Sequence, residues 1–303
     1  MAFQTTSAQT AQHKDLSDIV ENISPEKTPF ISLIGKGKIE NVIFYWAEEE
    51  LAAVGQNAAK EGADAREHAD NLLTERSNRT QIFTKTVRLS GSSMVNSIAG
   101  NKQKLANQVE LRAKELKRDM EYAFVGTAQA STAETATVGR LTAGFQAQVD
   151  AANVIDKAGA AFSVADLDEV LTRIFVAGGT PEYVMCHPRI RNAIVTALTA
   201  GTNGYVVRDI GHDKKVVNDV MVYASPVGEV KLINNELVKF DVSTGEGDIL
   251  IFDSSMWSVE TIRPYELTEL AKTGDYEARQ LVTEVGLKNK AYKSAGLITD
   301  VIA

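Results

Sequence analysis

The residue pattern is that of an α+β protein in which one domain is interrupted by another. Three stretches carry this reading. Lys102 to Val125 is the longest unbroken helical pattern in the 303-residue chain. Residues 141–254 alternate helix and strand patterns, and 255–303 return to strand patterns without a helix of their own. A strand layer with an apolar face must bury it against another element. The long helix is the amphipathic element left without a partner, so a domain begun before residue 141 is expected to be completed after 254.

The first 14 residues are polar, rich in Ser, Thr and Gln, and read as an arm with little to bury. Leu16, Ile19, Val20 and Ile23 then make a short amphipathic helix stopped by Pro25. Pro29, Gly35 and Gly37 punctuate the stretch up to Lys38. Residues 39–47 and 80–89 are dense in β-branched and aromatic residues, the mark of strands. With a long polar stretch between them, they are expected to pair as an extended ribbon. A two-stranded ribbon is marginal alone in water. It is therefore expected to lie on a neighbouring molecule and bury Ile43, Tyr45, Phe83 and Val87 there.

In the long helix, Leu105, Val109, Ala113, Leu116, Met120 and Phe124 recur at three- and four-residue spacing on one arc. Asn101 is placed to cap its start and Gly126 to end it in a left-handed cap. Glu110 and Lys114 form a favourably oriented i,i+4 pair. At 1.5 Å per residue the helix is about 36 Å long, a spine for a domain. On the other side Leu111, Tyr122 and Val125 fall among Lys104, Glu115 and Arg118. These are either ordinary exposed apolar residues or a stripe that meets another subunit.

Within 141–254, Ser163 caps a helix whose buried face is Leu167, Val170, Leu171, Ile174 and Phe175, ended by Gly178–Gly179. Residues 181–186 read as a buried strand, and His187–Pro188 opens a second helix. Strand patterns follow at 216–223, 230–233 and 248–252. In the last part, 256–262 is a strand expected to end at Arg263–Pro264. After a turn at 272–275, Leu281, Thr283, Val285 and Leu287 alternate onto one face and are the expected partner of the spine.

Composition narrows the function. Hydrophobic content of 44% and charged content of 24% are those of an ordinary globular protein. No stretch approaches the roughly 20 apolar residues of a membrane helix, and the first residues have no basic region leading into an apolar core. Net charge is −8, with no basic cluster of the kind that marks sequence-specific nucleic-acid binding. Cys186 is the single cysteine, which excludes an intrachain disulfide.

Signatures of phosphate, dinucleotide, serine-hydrolase or zinc-protease chemistry are absent from the sequence. His13, His68, His187 and His212 share no ligand spacing. Cys186–His187 reads as a buried thiol followed by a turn, because neighbours on a strand point to opposite faces. Glu48–Glu49–Glu50 reads as a solvated run rather than a cation site. No catalytic, metal or cofactor-binding residue is assigned, and no cofactor is expected.

Four segments carry a family likeness: DLSDIVENISPEKTPFISLIGKGK, TQIFTKTVRLSG, KELKRDMEYA and RPYELTELAKTGDYEARQLVTEVGL. In this order they resemble the major capsid proteins of tailed bacteriophages, with the Hong Kong 97-like fold. The resemblance implies an N-terminal arm (1–36), an extended E-loop (37–91), a P-domain holding the spine (92–140 and 255–303) and an α/β A-domain (141–254). It implies a virion protein, assembled in the host bacterial cytoplasm as pentamers and hexamers of an icosahedral shell around double-stranded DNA. Contact with itself, a portal, and scaffolding or decoration proteins is implied, without a membrane or sequence-specific DNA binding. Arg79, Arg88, Arg263, Glu266, Glu269 and Lys272, with Leu111 and Tyr122 on the spine, are the expected intersubunit contacts. The alternatives are an encapsulin-like nanocompartment shell, an enzyme with its site in 141–254, and a phage accessory or scaffolding protein.

Overall fold

The computed structural model describes residues 27–52, 54–62, 64, 73–95, 104–200 and 222–302. The expected arm and helix before residue 24, the Asn101 cap, three of the four histidines and the start of the strand expected at 216–223 lie outside these.

The described chain opens with a short helix α1 (Pro29–Leu33) and strands β1 (Gly35–Lys38), β2 (Ile43–Glu48), β3 (Thr74–Arg79) and β4 (Gln81–Ser90). One turn, α2 (Gly91–Val95), precedes the spine α3 (Lys104–Glu121), which runs directly into a π-helical turn at Tyr122–Gly126. Then come β5 (Val154–Asp156), α4 (Val164–Val176), β6 (Tyr183–Cys186), α5 (Pro188–Ala200), β7 (Val222–Ser225), β8 (Gly228–Asn234) and β9 (Glu246–Phe252). The chain returns through β10 (Trp257–Glu269) and β11 (Tyr276–Asn289) and continues into β12 (Gly296–Ile302).

Two sheets organise these elements. The first has the order β1-β10-β11-β4, and the spine lies on it. Leu116, Met120 and Phe124 from the expected arc are buried with Phe83 of β4 and Leu281, Val285 and Leu287 of β11. Val109 and Ala113 pack against the same cluster. The spine thus covers the return strands, as its apolar period requires.

The second sheet has the order β5-β12-β9-β6-β8-β7. Its alternation serves two cores at once. Met185, Leu250, Phe252 and Leu297 join the cluster around the spine. Their neighbours Val184, Cys186, Ile249, Ile251 and Ile298 face α4 and α5 with Leu167, Leu171, Ile174, Ile190 and Ile194. Strands buried on both faces read as continuous apolar runs, which explains DILIF at 248–252. At the junction of the sheets, Phe30, Phe145, Phe252 and Trp257 form an aromatic cluster, with Phe145 stacked on Trp257 at 4.5 Å and Phe30 edge-on to Phe252 at 5.2 Å. The strand β12, placed by sequence pattern with the return strands, pairs instead with β5 and β9.

The structure corrects several expectations. Residues 39–47 do not pair with 80–89: β2 pairs with β3, and β4 pairs with β11. Phe83 and Val87 are accordingly buried in their own chain, not held for a neighbour. The polar sequence TERSNR hid β3 because its one buried side chain, Asn78, is polar. Strand β10 does not stop at Arg263–Pro264 but continues to Glu269, with register shifts on either side of Arg263. Such irregularities are where a sheet tolerates Pro.

Val125, assigned to the outer stripe of the spine, is fully buried. The π-helical turn advances each residue by less than an α-helical turn does, which swings Val125 inward. Gly126 is not a left-handed cap. A Cβ there would lie 2.6 Å from the Leu237 carbonyl oxygen and closer still to the Tyr122 ring, so the glycine serves close approach. Phe175 is half exposed at the end of α4, outside the stripe formed by Leu167, Val170, Leu171 and Ile174.

Candidate assembly surfaces

The ribbon β2–β3 is fastened to the body from its root to its far end, and residues beyond that end stand open. Asn78 is almost fully buried. Its amide nitrogen donates to the Leu287 carbonyl at 2.6 Å and to Thr142 Oγ1 at 3.1 Å, and its oxygen accepts from the Ala143 backbone at 2.8 Å. Phe44 seats on Gly286, where a Cβ would fall 2.7 Å from the ring. Trp46 stacks on Phe44 at 5.7 Å, and the Arg76 guanidinium lies 4.3 Å from the Tyr292 ring centre. Glu48 binds Arg76 at 3.2 Å and accepts from the Tyr292 backbone, while Glu50 reaches Lys293 at 2.5 Å. Two residues of the acidic run therefore fasten the ribbon. Tyr45, midway along β2, is exposed, and beyond the ribbon's end Leu73 is exposed, Leu51 is 92% exposed and Val54 is fully open.

The second projection is the outer half of the hairpin β10–β11. Arg263, Glu266, Glu269 and Lys272 all lie on it and are exposed. Arg263 Nε binds Glu284 at 3.2 Å, Glu269 binds Arg279 at 2.8 Å and Lys272 binds Glu277 at 3.1 Å. Three of the four predicted contacts thus have partners within the chain. Arg88, on β4 beside this hairpin, stands over the Tyr276 ring at 5.5 Å. Arg79 sits apart, at the ribbon root, and donates to Ser131 Oγ at 3.4 Å.

On the spine, Tyr122 is 52% exposed and Leu111 is half-buried. Lys85 of β4 clamps the polar side of the helix through Asp119 at 2.6 Å.

Two buried carboxylates tie these surfaces to the body, and neither stands out in the sequence. Glu284 of β11 accepts from Thr80 Oγ1 at 2.7 Å and pairs with Arg140 and Arg263. Burial alone would raise its pKa, but the Thr80 and Arg140 hydrogen bonds and the charges of Arg140 and Arg263 outweigh it and hold it below the usual value. Glu121 ends the α-helical part of the spine and is fully buried. Its oxygens accept from the backbone N–H groups of Phe30 and Ile31 at 2.8 and 2.9 Å, capping α1, where Thr28 makes no side-chain cap.

Cys186 is fully buried, and burial pushes its thiol up to about 12. His187 leaves the strand and stacks on Phe240 at 4.4 Å. Among the described residues there is no group of three or more His, Cys, Asp or Glu side chains placed to hold a metal ion. No described helix is long and apolar enough to cross a membrane.

The decisive comparison is with protein families: the model of the SU10 major capsid protein matches residues 3–301. The chain belongs to the SU10 major capsid protein family. It is a phage major capsid protein, with a structural role in the capsid shell. A curated relative, the major capsid protein of Escherichia phage Phieco32, is 28% identical over 96% of this chain and 94% of its own length.

Solved structures share the fold. The capsid of an empty GTA particle matches with a TM-score of 0.69 at 12% identity, covering 98% of both chains. Mycobacterium phage Bobi gives 0.66 at 12% identity, over 98% of this chain and 99% of that one. The SrpI encapsulin of Synechococcus elongatus gives 0.65 at 13%, over 100% and 97%. At these identities the likeness to encapsulin is one of fold, whereas the family match and the curated relative are capsid proteins.

Proposed function

We propose that copies of this capsid protein tile an icosahedral shell as pentamers and hexamers around the double-stranded DNA of a tailed phage, assembled in the host bacterial cytoplasm. The observation that carries this is the exposed end of the ribbon. Leu51 and Val54 stand open beyond a root fixed by Asn78. Exposed apolar groups on an extended projection mark a contact surface, and a neighbouring copy supplies the cover. An overlap of about 1,500 Å² would fall in the standard class of specific interfaces. A net charge of −8 lets the wall enclose phosphates without holding them.

In this reading β2, β3 and the residues between them form the E-loop, the spine with the first sheet forms the P-domain, and the second sheet with α4 and α5 forms the A-domain, β12 included. Leu111, Tyr122, Arg79, Arg88 and Glu266 contact neighbours directly. Arg263, Glu269 and Lys272 do so by exchanging or sharing their ion pairs. A portal and scaffolding or decoration proteins are the other partners, and catalysis has no part. Negative-stain microscopy of the purified chain tests the proposal. Uniform shells, or rings of five or six, are expected; a persistent monomer overturns it.

A further inference from the structure

An open groove of about 590 Å³ runs between the spine and the first sheet. Ile31, Ala113, Met120, Val259 and Val285, from α1, the spine, β10 and β11, supply its apolar lining. Its size falls within the roughly 300–1,000 Å³ of small-molecule pockets. At about 30 Å³ per water-sized group it holds about twenty such groups. That is room for one alkyl chain of about twelve carbons with its head, and too little for a two-tailed lipid.

Charge is distributed unevenly around this trough. Lys36, Lys114 and Lys117 line it against a single acidic residue, Glu110, which pairs with Lys114 at 3.4 Å. Lys36 and Lys117 are exposed and make no ion pair among the described residues. Lys117 acts on the buried Glu121 carboxylate only through its field. A mostly apolar pocket with a few placed polar groups takes its specificity from those groups. Here they are two unpaired cations, which favour a ligand with an apolar body and one negative end.

We infer that the groove binds a single-chain amphiphile with an anionic head, such as a long-chain carboxylate. The tail lies along Ala113, Met120 and Val285, and the head meets Lys36 and Lys117. A ligand held there touches α1, β1, the spine and β10 together, so it fixes four elements in one arrangement and stabilises the folded chain by mass action. This goes beyond the shell reading and is tested without it.

The test is calorimetric titration of the purified full chain with octanoate, decanoate and dodecanoate, each below its micellar concentration. Affinity is expected to rise about fourfold for each added methylene, the value of burying one CH₂. Decyltrimethylammonium, with the opposite charge on a chain of decanoate's length, should bind on the order of tenfold more weakly than decanoate. Vesicles of phosphatidylglycerol carry the negative charge on two-tailed lipid and should not bind. No binding of dodecanoate, or affinity independent of chain length, overturns the inference; a groove already filled by protein gives the first of these results. Binding to the vesicles also overturns it, because the site would then be a membrane surface contact.

Two variants place the ligand. Lys36→Glu with Lys117→Glu changes only exposed side chains and should reverse the preference, weakening decanoate on the order of tenfold and favouring the ammonium. Unchanged preference puts the head elsewhere and overturns the assignment. Ala113→Trp fills the trough and should abolish binding of both. Cys186 is fully buried, so its failure to react before denaturation reports that each variant is folded. Should Ala113→Trp not fold, the lysine pair decides.

Discussion

The side-chain amide of Asn235 donates to the Glu121 carboxylate at 2.7 Å, and the same carboxylate receives the first free N–H groups of α1. One spine residue thereby joins the start of the described chain to the segment after β8. Glu121→Ala leaves the buried N–H groups of Phe30 and Ile31 without an acceptor and Asn235 with only Met185 Sδ, each lost partner costing about 1–3 kcal/mol. A loss of about 3 kcal/mol or more is expected in urea unfolding, and a loss below about 1 kcal/mol would show that the hub is dispensable.

The two buried carboxylates make opposite pH predictions. Burial raises the Glu121 pKa above 4.5 despite the hydrogen bonds that oppose it. Its contribution to stability is full below the unfolded value and is lost as pH rises through the folded one. Glu284 is held below 4.5, so its contribution is present above that value and lost as pH falls through the folded pKa. In unfolding midpoints measured against pH, Glu121→Gln should flatten the decline above 4.5. Glu284→Gln should flatten the decline below it.

Asn78→Ala removes the side chain that holds the ribbon root to Leu287, Thr142 and Ala143. About 2 kcal/mol of destabilisation is expected from the orphaned groups. Shell yield by microscopy should fall further than stability alone dictates, because one of the ribbon's fastenings to the body is lost.

Tyr122 and Val125 separate assembly from folding within one π-helical turn. Val125→Asp buries an unpaired charge and should prevent folding, read as loss of the cooperative thermal transition. Tyr122→Ala should leave stability within about 0.5 kcal/mol while lowering shell yield. Equal effects of the two on stability would contradict their different burial.

Leu51→Asp with Val54→Asp alters side chains that stand open to solvent in their own chain. Unfolding should be unchanged and assembly abolished, giving a stable, small species by size-exclusion chromatography.

The spine, its apolar arc and the helices α4 and α5 were legible because period and capping are local properties of the sequence. The partner of β2 was not. Apolar alternation favoured residues 80–89 over TERSNR, whose inward residue Asn78 is satisfied by groups far along the chain. The swing of Val125 likewise depends on a π-helical turn that an ideal helical wheel does not contain. Among the site residues, exposure was readable for Glu266, whereas Arg88, expected on the ribbon, lies on β4 beside β11. The ion pairs of Arg263 and the cap made by Glu121 were not readable, because their partners are brought close only by the finished sheets.

The pairing of β4 with β11 also sets an order of events at the ribosome. Thr80 and Glu284 are 204 positions apart, and β1 waits similarly for β10. Contacts this remote close late and slowly. A copy released before Tyr276 lacks the strand on which β4, the spine and the ribbon root all rest, so its projections have no fixed direction. Truncated products are therefore expected to lack the fixed surfaces that assembly needs.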